Sequence, residues 1–441
     1  MGEFSKNIFI TSVTQILQLI AGIGASIVIA RCLGPEGKGI YSLAILFFAL
    51  LINFTDFGIG PASVFYIGRG KYPLKEVLGA DIIFSILISF FTTIVGIIII
   101  FFFGEKIFHG VPIEYLVLIM IVVPFWFFLS FINYILLGLQ KFKKFNFIKL
   151  IVPFISLILV VFLLLSHQIN VRTVIITQII SYFIACFVLF FQVKKETTGL
   201  FFSLNKNIFR DFFSYGIKNY LGNIFSFFHY KVDMFLINIF LNPLAVGFYS
   251  IAVGMAQQIW FVSESAGMVL FPRVSSETSE KKLKEFTPLV CRNILFVTLL
   301  LAIFLFVIGR WLIILLYSEQ FFNSVLPFQI LLIGTAMISG RTILANDLYG
   351  RGKPMLNAYI TGSAVILNII LNILWIPKFG IAGAAWAASV SYTVSSIITT
   401  LVYSKISGNK IRDILLIKQS DFKFYQDLII LIKNKYFNFS K

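Results

Sequence analysis

Apolar residues run along this chain in long blocks separated by short charged or Gly/Pro-containing breaks. Twelve blocks reach the ~20 residues a helix needs to cross the hydrocarbon core of a bilayer. They are 8–30, 40–66, 77–103, 113–138, 146–165, 173–192, 211–240, 245–270, 289–309, 322–347, 355–376 and 382–404. The first is too long for a signal-peptide core and lacks a convincing cleavage site, so it reads as a spanning helix. Inside four blocks the polar positions recur at helical spacing. At 100° per residue, Asn219, Asn223, Ser226, His229, Tyr230 and Asp233 fall within about 120° of one another, with Gly222 in the stripe and Lys218 at its margin. Lys231 lies well off it. Ser42, Asn53, Asp56, Gly60 and Ser63 share a face of 40–66, and Ser250, Gln257 and Glu264 share a face of 245–270. Thr11, Gln15, Gln18 and Gly22 lie along one side of 8–30. Polar groups are costly in hydrocarbon, so each stripe is expected to face a wet cavity or the bundle interior.

Composition excludes the water-soluble alternative. The chain is 59% hydrophobic and 12% charged, with a mean hydropathy of +0.95, against about 45–50% and about 25% for ordinary soluble domains. The 52 Phe favour lipid-facing helices. A net charge of +17 suggests nucleic acid until it is placed along the spans. With the N-terminus inside, 26 Lys and Arg fall on the cytoplasmic side and six outside, at Arg31, Lys38, Lys106, Arg172, Arg310 and Lys378. The excess is therefore a topology signal, and both termini and the 194–210 linker are expected in the cytoplasm, with no nucleic-acid partner. Cys32, Cys186 and Cys291 carry no zinc or disulfide spacing. Arg292 and Arg341 are expected to snorkel, Arg31 to anchor a helix end, and Asp81 and Asp347, nearer helix ends, to serve as interface or pairing residues. The tail 405–441, with Ile411, Leu415, Phe422, Tyr425 and Ile429 among basic residues, reads either as an amphipathic helix on the anionic inner leaflet or as a loosely ordered segment.

The chain is also duplicated. LGPEGKGIYSLA (33–44) aligns without gaps with LNPLAVGFYSIA (241–252) at an offset of 208, six of twelve residues being identical. The same offset sets Asp56 opposite Glu264. The expected fold is therefore all-α and polytopic, with two pseudo-symmetric six-helix lobes, 1–195 and 211–404, around a central cavity. A cytoplasmic linker, 196–210, joins them, and the basic tail 405–441 follows. Repeated bundles with a midplane site are the architecture of secondary transporters.

The runs ARCLGPEGKGIYSLA (30–44) and LINFTDFGIGPASVFYIGRGKY (51–72), with HYKVDMFLIN (229–238) and GFYSIA (247–252), resemble the polysaccharide-transport branch of the multidrug/oligosaccharidyl-lipid/polysaccharide exporter superfamily. The resemblance extends over essentially the whole chain. It implies a Wzx-type flippase that moves undecaprenyl-diphosphate-linked oligosaccharide repeat units, such as those of O-antigen, across the bacterial inner membrane by alternating access. It also implies a polysaccharide polymerase and chain-length machinery as partners. The drug/cation antiporters of the same superfamily are the rival branch.

Enzyme chemistry finds no support. There is no P-loop, no H-x4-D acyltransferase motif and no D-x-D on a loop, so no catalytic residue, metal or cofactor is expected. Transport then draws on an H+ or Na+ gradient, on substrate disequilibrium, or on both. As a flippase, the chain would use Lys218, with Lys231 or Arg341, to pair the diphosphate. Asn53, Asn219, Asn223, Gln257, Gln15 and Gln18 would line the cavity, and Asp56, Asp233, Glu264 and His229 are the candidates for ion coupling. As an antiporter, it would use Asp56, Asp233 and Glu264 to neutralise a cationic substrate.

Overall fold

The computed structural model describes residues 3–194, 206–277 and 279–421; the side chains of 3–9, 218, 219, 221, 269, 272 and 276 lie outside the described set. All regular elements among the described residues are helical. In order they are α1 (Glu3–Thr55), α2 (Ile59–Gly68), α3 (Leu74–Ile107), α4 (Ile113–Met120), α5 (Val122–Gly138), α6 (Phe142–Leu165), α7 (Val171–Lys194) and α8 (Lys206–Phe240). There follow α9 (Pro243–Ala256), α10 (Trp260–Ser276), α11 (Glu280–Tyr317), α12 (Val325–Gly350), α13 (Pro354–Ser407) and α14 (Ile411–Leu415), with 3-10 turns at Gln257–Ile259 and Glu319–Ser324.

Nine helical stretches among the described residues are long and apolar enough to cross a membrane. Two of them are double. α1 kinks at Gly34, where φ is 66° and Pro35 follows, and α13 kinks at Gly380, where φ is 59° and Pro377 lies three residues before. At 53 and 54 residues, each holds about 80 Å of helix along its path, more than twice the ~30 Å core. Counting both halves gives eleven, and the 35-residue α8 supplies a twelfth by length. The face presented to lipid is apolar: Phe101 is 81% exposed and Phe90 69%, a surface that water would not tolerate.

Two expected helices are broken. The run 40–66 stops at Thr55 and resumes at Ile59, because Phe57 (φ 48°) and Gly58 (φ 69°) take left-handed backbone. Asp56 accepts a hydrogen bond from the Gly58 backbone N–H, which closes the turn. A Cβ on Gly58 would meet the Gly216 carbonyl oxygen at 2.8 Å, so the position requires glycine both for space and for φ. The run 245–270 narrows to a 3-10 turn at Gln257–Ile259. Hydrophobic periodicity carries across both breaks and does not report them.

The described residues gather into two compact units. The first comprises Met1–Ile251, Trp311–Val325 and Asn372–Ala384. One of its cores joins α3, α5, α6 and α7 through Leu78, Ile132, Leu136, Ile148 and Leu189. Within this unit the two copies of the repeat cross reciprocally. Gly39 lies so close to the Pro243 carbonyl oxygen, and Gly247 so close to that of Pro35, that neither position has room for a Cβ. Both partners are the same residues of the repeat, exchanged. Arg31 donates to the carbonyl oxygens of Leu315 and Leu316 at the end of α11, completing acceptors that a helix terminus leaves open.

The second unit comprises Ala252–Arg310, Leu326–Leu371 and Ala385–Lys441. Its core packs Leu270, Cys291, Leu344, Leu348, Tyr403 and Ile414. Arg292 does not snorkel. It is 7% exposed and holds Asp421 in a two-pronged bridge, at 2.5 and 2.6 Å. Residues 405–421 of the tail are therefore tied to the bundle at Asp421; Phe422, Tyr425 and Ile429 lie outside the described residues. The bridge holds the Asp421 carboxyl below the usual carboxylate range, chiefly through the hydrogen bonds from Arg292. Asp347 pairs with Arg351 and accepts from Thr287 at 2.6 Å. Arg341 does not snorkel either: it is 6% exposed and donates to the Thr361 hydroxyl at 2.7 Å.

Candidate functional site

The first unit carries two charged sites inside its helical packing. The kink at Gly34 turns the chain back, so the first helical turn after Pro35 lies against the earlier half of α1. Lys38, expected on an outer turn, is in consequence buried, at 7% exposed. Its Nζ donates to the Ser26 hydroxyl at 3.3 Å and lies 5.4 Å from the centre of the Tyr41 ring. Lys38 and Tyr41 line a cavity of about 320 Å³ with Ser26, Ser156 and Gln178. Gln178 Nε2 donates to the Tyr41 hydroxyl at 3.1 Å and to the Ser156 hydroxyl at 2.9 Å. No lining residue is acidic, and no ion pair to Lys38 occurs among the described residues.

The other site is acidic. Asp233 on α8 is 2% exposed. The Tyr249 hydroxyl on α9 donates to one carboxylate oxygen at 3.0 Å, and Asn372 Nδ2 on α13 donates to the other at 2.8 Å. His229, one helical turn earlier, is fully buried. Two consecutive helices and a third one 139 positions along the chain thus converge on one carboxylate. A carboxylate buried within a membrane-spanning bundle is a group type that can take up a proton or a small cation.

A second cavity of the same unit, about 280 Å³, is lined by Gln18, Asn133, Tyr134 and Lys149, and shares Val152 and Pro153 with the Lys38 cavity. Gln18 donates to the Lys149 carbonyl oxygen at 2.8 Å. Gln15 is half-buried on the same helix. Asn53 donates to the Ala49 carbonyl oxygen of its own helix at 2.9 Å. Asp56 is half-buried in the 56–58 turn, Asn223 is exposed and Lys231 is half-buried. In the second unit Gln257 is half-buried in the 3-10 turn, Glu264 is exposed, and Arg341 is buried beside Thr361. The side chains of Lys218 and Asn219 lie outside the described residues. Among the described residues, no group of three His, Cys, Asp or Glu is placed to hold a metal ion.

Sequence reasoning passed over Lys38, Tyr249, Asn372 and Gln178. Tyr41 and Tyr249 did carry a signal, being the same residue of the repeat. Asn372 and Gln178 carried none, because the partner of a polar residue on a distant helix cannot be read from spacing.

Four likenesses bear on what these sites serve. The family model described as "Polysaccharide biosynthesis protein" matches residues 4–278. Two relatives align at low identity. A flippase candidate for low-salt glycan biosynthesis in Haloferax volcanii is 27% identical over 215 residues, 47% of this chain and 44% of that protein. An O-antigen transporter candidate from Shigella flexneri is 24% identical over 413 residues, 86% of this chain and 92% of that protein. Among solved structures, the lipid II flippase MurJ in an inward closed conformation superposes with a TM-score of 0.76 at 16% identity, over 98% of this chain and 94% of that one. That last likeness shows the fold alone.

Proposed function

This chain belongs to the polysaccharide biosynthesis protein family, and we propose that within it the chain is a flippase that carries a polyprenyl-diphosphate-linked oligosaccharide across the membrane by alternating access. The observation that carries the reading is the match of the family model over the first 62% or so of the chain, residues 4–278. The two relatives, one from an archaeon and one from a bacterium, support a lipid-linked glycan as the class of substrate. The finer reading, an undecaprenyl carrier and an O-antigen-type repeat unit in a bacterial inner membrane with both termini cytoplasmic, is part of the same proposal. So are polymerase and chain-length machinery as partners.

The chemistry of the cargo explains what the chain must supply. A diphosphate brings about two negative charges into a low-dielectric setting, where an uncompensated charge costs several kcal/mol. Lys218, with Lys231 or Arg341, is proposed to pair that head, while Asn53, Asn219, Asn223, Gln257, Gln15 and Gln18 exchange hydrogen bonds with sugar hydroxyls. Asp233, held by Tyr249 and Asn372, is proposed as the site where H+ or Na+ couples to movement, with Asp56, Glu264 and His229 as secondary candidates. No covalent step is involved, so the chain acts as a transporter rather than an enzyme.

Complementation of a flippase-deficient strain tests the proposal. The wild-type chain is expected to restore surface polysaccharide. Lys218→Ala is expected to reduce it without lowering the protein's level in the membrane, and Lys218→Arg to retain part of it, since charge is kept while geometry changes. Normal export by Lys218→Ala moves the cationic role to Lys231 or Arg341. Failure of the wild type, together with resistance to cationic dyes, would favour the antiporter.

A further inference from the structure

We propose that the cavity around Lys38 is a binding site for a small monovalent anion of the chloride class, built into the first unit. The ammonium is 7% exposed and has a single hydroxyl, that of Ser26, at hydrogen-bond distance. A buried charge is retained in a fold when it is paired. Here the lining residues give no carboxylate, and about 320 Å³ of space stands beside the ammonium.

The chemistry around that space suits an anion. Lys38 has three N–H donors and spends one on Ser26. Ser26 is shared with Tyr317, while Ser156 has a hydroxyl proton that can turn toward the cavity and Tyr41 has one that Gln178 does not use, since Gln178 is the donor in both bonds. The site therefore offers one full positive charge and several neutral donors. A single cation balances a single negative charge, so chloride fits where a phosphate dianion would leave charge uncompensated. The volume accommodates the ion with part of its hydration shell, which lowers the cost of taking it from water.

The site does not depend on what the protein transports. It requires only that the folded chain bind the anion better than the unfolded chain does, and binding of that kind raises thermal stability in proportion to ln(1 + [L]/Kd). The full chain is purified and its thermal unfolding is followed by labelling of the buried Cys186 and Cys291 with a thiol-reactive dye. Sodium chloride is exchanged for sodium gluconate at constant ionic strength. The wild type is expected to gain a few degrees, saturably, with chloride or bromide; sodium phosphate at matched ionic strength is expected to give no comparable gain. Lys38→Met is expected to unfold at one temperature in all these salts, while Lys38→Arg keeps the chloride dependence.

Absence of a chloride dependence in the wild type overturns the proposal, as does a dependence that persists in Lys38→Met. Should Lys38→Met fail to fold, diffraction from wild-type crystals grown in bromide decides: an anomalous peak beside Lys38 Nζ supports the site, and a cavity without one refutes it.

Discussion

The Lys38 and Asp233 sites are the same place in the two copies of the repeat, with the charge reversed. The offset of 208 that aligns 33–44 with 241–252 also places Tyr41 on Tyr249, Lys38 on Val246 and Ala25 on Asp233. Tyr41 stands beside the lysine, and Tyr249 binds the aspartate. Ala25 lines the lysine's cavity at the position where the other copy has its acid. Val246, where the other copy has its lysine, is fully buried. The duplication has kept the frame of Pro, Gly and Tyr and exchanged which helix carries charge and which sign it has. Shared geometry is therefore set by the small and aromatic residues, while the ion each copy can hold is set by one polar substitution on either side.

The frame itself gives the largest expected effect. Because Gly39 and Gly247 each face the other copy's proline carbonyl, Gly39→Leu and Gly247→Leu are expected to be about equally damaging. Each should cost about 3 kcal/mol or more, since backbone must move to admit the side chain. At Gly222 an added Cβ would find nothing within 4 Å, so this position is expected to accept Ala with no loss, since Ala favours a helix. Yields of monodisperse protein and melting temperatures would show it. A large asymmetry between Gly39 and Gly247 would break the equivalence of the two copies.

A site with both charges present sharpens the contrast. Arg292 and Asp421 are paired and buried, so Arg292→Met should cost about 3–5 kcal/mol, as expected when one charge of a buried pair is left alone. The pH dependence has a definite sign. The folded carboxyl of Asp421 lies below its ordinary value, so its contribution is fully present above the unfolded carboxylate's pKa of about 3.9 and is lost as pH falls through the lower, folded one. Acid titration of the melting temperature should show this loss in the wild type and not in Asp421→Asn.

Smaller effects separate the two tyrosines. Tyr249→Phe removes a donor to a carboxylate and is expected to cost about 1.5–3 kcal/mol, whereas Tyr41→Phe removes an acceptor from a neutral amide and should cost about 0.5–1.5 kcal/mol. Gln178 retains Ser156 as a partner in the latter case. Ala25→Asp transplants the acid of one copy into the other. It is expected to pair Lys38 and abolish the anion dependence of stability, detected in the same salt exchange.

Much of this frame could be read from the sequence. The apolar runs gave the all-helical, polytopic fold, because a length of about 20 residues in lipid admits few alternatives. Six identities in twelve gave the repeat. What escaped was the consequence of kinks. Lys38 lies four residues after Gly34 and reads as a solvated turn until the positive φ of that glycine folds it back onto α1. Arg292 reads as a snorkelling residue because its partner, Asp421, lies 129 positions away. The breaks at 56–58 and 257–259 were hidden because polar stripes continue through them. Asp233 was visible as a stripe residue, but its donors Tyr249 and Asn372 were not.

Transport of a diphosphate-linked glycan is tested most directly in liposomes. The purified chain is reconstituted with a short-chain polyprenyl-diphosphate oligosaccharide placed in one leaflet, and transbilayer movement is followed by lectin capture at the opposite face. Protein-dependent movement of the diphosphate-linked glycan, slowed by Lys218→Ala and by Asp233→Asn, is the predicted result. Liposomes in which the same folded protein leaves the glycan where it was placed, while exchanging an organic cation for protons, would contradict it.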